Sequence, residues 1–255
     1  TFGGFAIEDI ASPRSFELME ILDGMSEADL PVPFFFTDMQ GTCATVLAAL
    51  RNALKLVGKD IGNIRAVITG AGGAGITVAR FLSKAGVPEI TLCDRHGIVR
   101  EGRPEGMNRF KEAAARELNP EKRQGTIGDA LEGADLFVGL SAARTVRPEM
   151  IRAMNRKPIV FALATPEPES GADEARAAGA AAVLTGGANY RHGLNVALAF
   201  PGILRGVIDA RAARIYDEML IAAADAIASL VPDKELSYER IVPRVLDLRV
   251  GPAVA

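Results

Sequence analysis

The chain has 255 residues, 49% of them hydrophobic, enough to bury a substantial core near the upper size limit for one domain. Its net charge of −3, with lysines and arginines scattered rather than massed, excludes the broad basic footprint of a nucleic-acid binder. No apolar run reaches the roughly 20 residues that cross a bilayer and no charged-then-apolar leader opens the chain, so a cytoplasmic protein with no membrane partner is expected.

The first residues, Thr1-Phe2-Gly3-Gly4-Phe5, lack a methionine and read as the middle of an element, as in a fragment or processed product. Pro33–Phe36 is a predicted strand. Gly41–Val57 is a predicted helix whose Val46, Leu47, Leu50, Leu54 and Leu56 form an apolar stripe, and this segment is expected to dock on the main sheet. From Ala66 onward the runs Ala66–Thr69, Ile90–Asp94, Ala134–Leu140, Pro158–Ala164 and Ala181–Thr185 alternate with helix-forming stretches at Val78–Leu82, Asn108–Leu118, Pro148–Met154 and Asp173–Ala178. That alternation predicts an α/β fold, a doubly wound parallel sheet covered by helices on both faces. Downstream, Asn195–Ala212 and Ile215–Leu230 read as two helices, with a kink or start at Pro201-Gly202. The expected division is a segment over 1–60, a sheet domain over 61–212 and a helical extension over 213–255. Cys43, Cys93, His96 and His192 are too few for a disulfide framework or a zinc centre, and both thiols are expected to be reduced.

The predicted strand ending at Thr69 runs into Gly70-Ala71-Gly72-Gly73-Ala74-Gly75 and then a helix, the order of a Rossmann-type dinucleotide-binding turn. Gly70 permits the tight turn, Gly72 lets a pyrophosphate approach the backbone, and Gly75 lets helix and strand pack closely. The helix N-terminus then offers free N–H groups and its positive dipole end to the phosphates. The next predicted strand ends in Asp94, placed to accept hydrogen bonds from the adenosine ribose and so to favour NAD. Arg95 follows it and suits the 2′-phosphate of NADP. A glycine turn that binds nothing is the bland alternative.

Glu8 and Asp9 follow an apolar segment, and Asp38 follows the strand Pro33–Phe36, at the strand end where ligands collect in open α/β sheets. Three carboxylates suit Mg²⁺ or Mn²⁺, which would polarise a substrate carbonyl. Adjacent acidic residues also occur simply as a solvated surface.

Taken together, Thr1-Phe2-Gly3-Gly4, Glu8-Asp9-Ile10, Asp38-Met39-Gln40-Gly41-Thr42, Asn52-Ala53-Leu54-Lys55, Gly70–Gly75 and Cys93-Asp94-Arg95 resemble the malic enzymes. The similarity continues through Gly97-Ile98, Gly139-Leu140-Ser141-Ala142, Phe161–Ala164 and Leu198-Ala199-Phe200-Pro201-Gly202 to Arg249-Val250, nearly the whole chain. The resemblance implies an oxidoreductase that oxidises malate with NAD or NADP and decarboxylates the product to pyruvate. It implies Glu8, Asp9 and Asp38 as metal ligands, and cofactor contacts from Gly70 to Gly75 and at Asp94, Arg95, Ser141 and Ala142. It also implies a homodimer, and a catalytic lysine and tyrosine in an N-terminal domain that would precede Thr1 or be supplied by a partner chain. General acid/base groups contribute roughly 10²–10⁴-fold in rate, so this chain alone is expected to be a poor catalyst.

The chain departs from that family around the substrate. Thr37 stands where an acidic residue precedes the metal aspartate, Thr165 where an asparagine holds a substrate carboxylate, and Val196 beside Asn195 where the family has an asparagine pair. A Ser-Ala-Pro-Gly turn has become Ser141-Ala142-Ala143-Arg144. These changes predict a different 2-hydroxy acid as substrate, with Thr165, Asn195 and Arg144 as contacts and Arg191 and His192 as further candidates. Ordinary surface charges and a hydrogen-bonded loop histidine are the plainer readings of Arg144, Arg191 and His192. The alternatives for the whole chain are a catalytically impaired NAD(P)-binding subunit or sensor, and one half of a split or multidomain enzyme.

Overall fold

The computed structural model describes residues 2–26, 28–29, 32–186 and 193–255, so the candidate contacts Arg191 and His192 lie outside the described residues. In chain order the elements are β1 (Phe5–Ile7), α1 (Arg14–Gly24), β2 (Phe34–Phe36), α2 (Thr42–Val57), β3 (Arg65–Thr69) and α3 (Gly73–Lys84). They continue with β4 (Glu89–Asp94), β5 (Gly97–Ile98), α4 (Arg109–Leu118), α5 (Ile127–Leu131), β6 (Leu136–Gly139), α6 (Pro148–Arg152) and β7 (Ile159–Ala162). The last are α7 (Ala172–Ala177), β8 (Ala182–Thr185), α8 (Phe200–Asp209), α9 (Asp217–Ser229) and α10 (Val250–Val254).

Six strands form one sheet in the order β5-β4-β3-β6-β7-β8, parallel except for the short hairpin partner β5. Each parallel strand is buried almost throughout because both faces are covered. Alternate residues serve opposite faces, as the two-residue period of a strand requires. Ile68, Leu92, Val138, Phe161 and Leu184 join one core with α2, α3, α4 and α9. Val67, Cys93, Phe137, Val160 and Val183 join a second core with α5, α6 and α7. From β3 the chain moves outward to β4 and then returns to β6 on the other side of β3. The topological switch point therefore lies between β3 and β6, and their carboxyl ends are where such a sheet is expected to offer a ligand crevice.

The segment over 1–60 meets the main sheet through a helix rather than a strand, and that helix is buried more widely than its apolar stripe implies. The strand at Pro33–Phe36 shortens to β2 and pairs in parallel with β1 as a two-stranded sheet of its own, not with the main sheet. Helix α2 instead carries the segment into the main core. It is buried on nearly every side, only Arg51, Lys55 and Leu56 escaping, so the single apolar stripe was too narrow a reading and Leu56 is among its least buried members. A helix apolar all round belongs in a protein interior, and α9 supplies the cover on the side away from the sheet. Gly58, at φ +71, ends α2 in the left-handed cap conformation.

The predicted helix over 195–212 is in fact a 3₁₀ turn, Val196–Leu198, followed by α8. Pro201 falls in the first turn of α8, where its missing N–H costs nothing. No helix among the described residues is long and apolar enough to cross a membrane.

Helices α2 and α9 are pinned by Asn52, fully buried, whose Nδ2 donates to the carbonyls of Ala228 (3.0 Å) and Ile241 (2.8 Å). Replacing Asn52 by leucine keeps the volume and strands the Ile241 carbonyl, while the Ala228 carbonyl keeps the Val231 N–H (3.2 Å), at a cost of about 2 kcal/mol. A fall of about 4–8 °C in the thermal midpoint of Asn52→Leu is expected; an unchanged midpoint in a melting curve would show that the brace carries no stability.

Candidate functional site

The crevice between β3 and β6 begins with Thr69, buried at the end of β3, and turns at Gly70, whose φ of +97 suits glycine. The Gly70 N–H donates to the Cys93 carbonyl at the end of β4 (2.9 Å) and the Gly72 N–H to the Gly70 carbonyl (2.8 Å), closing a tight loop between β3 and α3. A methyl group on Gly70 would stand 2.1 Å from the Leu140 carbonyl oxygen, and one on Gly75 would stand 1.9 Å from the Gly70 oxygen. A methyl on Gly72, by contrast, would meet nothing within 4 Å. The turn is thus packed beneath and open above. Helix α3 starts at Gly73 without a side-chain cap, so the amides of Gly73, Ala74 and Gly75 lie in a first turn that no earlier helical carbonyl reaches. Ala71 is buried and Ala74 half-buried beside them. Backbone N–H groups at an open, uncapped helix start fit a phosphate.

Asp94 ends β4 and is nearly buried. Its Oδ2 accepts from Arg103 Nη2 (2.6 Å) and Lys111 Nζ (2.6 Å), and its Oδ1 from the His96 N–H (2.9 Å). Burial pushes its pKa up, but hydrogen bonds from Arg103, Lys111 and the His96 amide outweigh it and hold the carboxyl below its ordinary value. The carboxylate expected to serve ribose hydroxyls is therefore already committed to two cations. Arg95 is exposed, its Nε directed at His96 Nε2 (3.1 Å).

Beyond β6, Ser141 and Ala142 are exposed at the crevice, with Ser141 Oγ 3.1 Å from Thr69 Oγ1. Arg144, exposed and at φ +57, pairs with Glu167 (3.1 Å), so part of its charge is spent within the loop. Thr165 is exposed beyond β7. Asn195 caps the 3₁₀ turn, its Oδ1 accepting from the Ala197 N–H (2.8 Å), which leaves its amide nitrogen for other partners.

Asp38 sits in a π-helical turn, Thr37–Gly41, that leads into α2. Such turns recur at functional sites. The turn packs against the start of α3, since a methyl on Gly73 would lie 3.5 Å from Met39 and 3.1 Å from Ser15 Oγ. It also packs near Val196, 3.6 Å from where a methyl on Gly41 would be. Asp9, at φ +57, donates its N–H to Asp38 Oδ2 (2.7 Å). Glu8, Asp9 and Asp38 are all exposed, and among the described residues no three His, Cys, Asp or Glu side chains gather as a ready ligand set. The fold thus brings Asp9 and Asp38 together and lays them beside the phosphate turn, without closing all three carboxylates on one point. The hydroxyls of Ser15 and Thr37 are buried with no hydrogen-bond partner among the described residues. A cavity of about 650 Å³, lined by Phe16, Phe34, Phe81, Phe110 and Leu220 among others, includes none of these candidate ligands.

Arg103, Lys111 and Glu169 carry no signal in the sequence that marks them as neighbours of the site. The first two reach Asp94 only through the β5 hairpin and the first turn of α4. Glu169, in the loop after β7 beside the exposed Glu167, is fully buried.

Comparison with known proteins agrees with this geometry. Residues 39–253 match the family model described as malic enzyme, NAD binding domain. The bifunctional malic/malolactic enzyme of Bacillus subtilis is 44% identical over the whole of this chain, which spans 61% of that relative. The NADP-dependent malic enzyme of Rhizobium meliloti is 41% identical over 91% of this chain and 30% of its own length. The crystal structure of the NAD-dependent malic enzyme from Thermotoga maritima superposes with a TM-score of 0.88 at 40% identity, covering 99% of this chain and 66% of that one. A parallel sheet with an open glycine turn at its switch point, matched over most of its length by this family, places the chain in the malic enzyme family as its NAD(P)-binding domain.

Proposed function

We propose that this chain is the cofactor-binding part of an enzyme that oxidises and decarboxylates malate or a related 2-hydroxy acid to a 2-keto acid and CO₂. The observation that carries the reading is the open start of α3 at the β3–β6 crevice, with the Asp9 and Asp38 segment laid against it. The amides of Gly73 to Gly75 bind the pyrophosphate, and Ser141 and Ala142 border the nicotinamide side. NAD(P), when bound, supplies the hydride acceptor. Glu8, Asp9 and Asp38 would hold Mg²⁺ or Mn²⁺, their hard oxygens and the Asp9–Asp38 contact supporting this, and such an ion supplies Lewis-acid polarisation of the substrate oxygen. Asn195, through its free amide nitrogen, and Thr165 offer donors to a substrate carboxylate.

The acid/base pair belongs, on this reading, to a further domain or partner chain of a cytoplasmic enzyme. Homodimer assembly is supported by the exposed Phe2 (73%), Phe5 (40%) and Ile208 (38%). The choice of cofactor turns toward NADP: Asp94 is already neutralised, and Arg95, Arg103 and Lys111 leave the ribose side of the crevice with excess positive charge. A second reading, a binding subunit that has lost catalysis, draws on the buried hydroxyl of Thr37, without a hydrogen-bond partner among the described residues, and on Val196 against Gly41.

The test is reduction of NAD and NADP by the full-length protein with Mn²⁺, followed by absorbance, across malate and a panel of 2-hydroxy acids. Turnover of at least one acid is expected; none, with cofactor binding demonstrated, favours the binding subunit. Lys111→Gln removes one cation that meets the 2′-phosphate and frees Asp94 for ribose. The ratio of NADP to NAD affinity should fall about 10-fold or more, the worth of a charged hydrogen bond. An unchanged ratio in equilibrium titrations would place the 2′-phosphate away from Lys111.

A further inference from the structure

Glu169 is a fully buried carboxylate that the cofactor turn and the candidate metal segment do not use. No cation pairs with it among the described residues; its partners are neutral donors. Its Oε1 accepts from the Ser141 N–H (2.8 Å) and the Ser141 hydroxyl (3.2 Å), and its Oε2 from the Ala164 N–H (3.0 Å). Ser141 lies just beyond β6 and Ala164 just beyond β7. The Glu169 carbonyl accepts from the Val146 N–H (3.1 Å), and the neighbouring Pro168 carbonyl from the Arg144 N–H (3.0 Å). Loops 141–146 and 164–169 are therefore one hydrogen-bonded body centred on this side chain.

An ionised carboxylate only accepts, so three donors aimed at it are matched. With its proton given to Glu169, the Ser141 hydroxyl is left to accept from Thr69 Oγ1 (3.1 Å) at the end of β3. The chain of bonds crosses the carboxyl ends of β3, β6 and β7, the floor on which a dinucleotide would lie. Gly139 makes the space, since a methyl there would stand 2.3 Å from the carboxyl carbon of Glu169.

We infer that Glu169 is a positioning residue that sets the 141–146 and 164–169 loops around the nicotinamide half of bound NAD(P). This role rests on the NAD(P) site proposed at the β3–β6 crevice. The phosphate turn and Asp94 lie on the β4 side and serve the adenosine half; a dinucleotide spanning the switch point reaches β6 and β7 with its other half. Glu169 thus acts on one half of the cofactor only.

The substitution Glu169→Gln offers one oxygen and one NH₂. Whichever way the amide turns, the N–H of Ser141 or of Ala164 faces a donor. Calorimetric titration of the full-length protein with NADP, NAD and ADP-ribose, which lacks the nicotinamide, separates the halves. Dinucleotide affinity should fall about 10-fold or more, the order of one stranded buried donor, while ADP-ribose affinity stays as in the wild type. Should Glu169→Gln not fold, Gly139→Ala displaces the same carboxyl with all its partners intact and should change the same ratio. A lowered melting temperature with the dinucleotide to ADP-ribose ratio unchanged would reduce Glu169 to a structural brace and overturn the inference. A wild-type protein that binds none of the three compounds overturns the cofactor site itself, and the role falls with it.

Discussion

The site hangs on one close approach, that of Gly70 to the carbonyl of Leu140. Strands β3 and β6 are neighbours, paired from Ala66↔Leu136 to Thr69↔Gly139, although β4 intervenes between them in sequence. A side chain at Gly70 would have to push their ends apart and break that register, since even a methyl lies 2.1 Å from the oxygen. Gly75 makes the second contact and draws α3 down onto the turn. The two glycines together decide where the first-turn amides of α3 point. The proposed phosphate site depends on that direction, because the amides and the helix dipole act only on what stands in front of them.

Two carboxylates border the crevice, and the protein treats them oppositely. Asp94 is met by Arg103 and Lys111, which overcome its burial and keep it charged. Its charge is cancelled locally, and the surroundings become receptive to an anion. Glu169 is met by two backbone amides and a hydroxyl, neutral donors that tie it to the ends of β6 and β7. Under the proposed function the first carboxylate governs which ligand charge is welcome, and the second, by the inference drawn above, where two loops stand. A buried charge with such partners is stable only as a set, because removing one member leaves the others desolvated and unpaired.

Much of this was legible in the sequence. The five parallel strands declared themselves as continuous apolar runs because both faces of each are buried, and the turn at Gly70–Gly75 did so because few other arrangements need glycines at those spacings. Asp94 was found by its distance from the turn. What could not be read was its partners: Arg103 and Lys111 are close to it only once β5 folds back and α4 begins. The burial of α2 was underestimated for the same reason, since its outer side is covered by α9, more than 160 residues on in the chain. Strands β1 and β5 span three and two residues, too short for any period to show. Glu169, flanked by Pro168 and Ser170, carries the local signature of a solvated loop, and only the space left by Gly139 takes it inside.

The substrate side obeys a different logic. At Thr165 and Val196 the resemblance to the malic enzymes leads one to expect amide donors for a carboxylate, and the chain instead presents a hydroxyl and an isopropyl group. Asn195 remains, but its oxygen is fixed by the Ala197 amide, so only its nitrogen can turn to a ligand. Val196 lies close to Gly41, against the turn that carries Asp38. The donor missing at Val196 raises the cost of burying a ligand carboxylate by about 1–3 kcal/mol, while the valine methyl groups favour apolar surface by about 25 cal/mol per Å². Both terms move in one direction. Under the proposed function, a 2-hydroxy acid that replaces the second carboxylate of malate with an apolar substituent loses less on binding beside these residues than malate does.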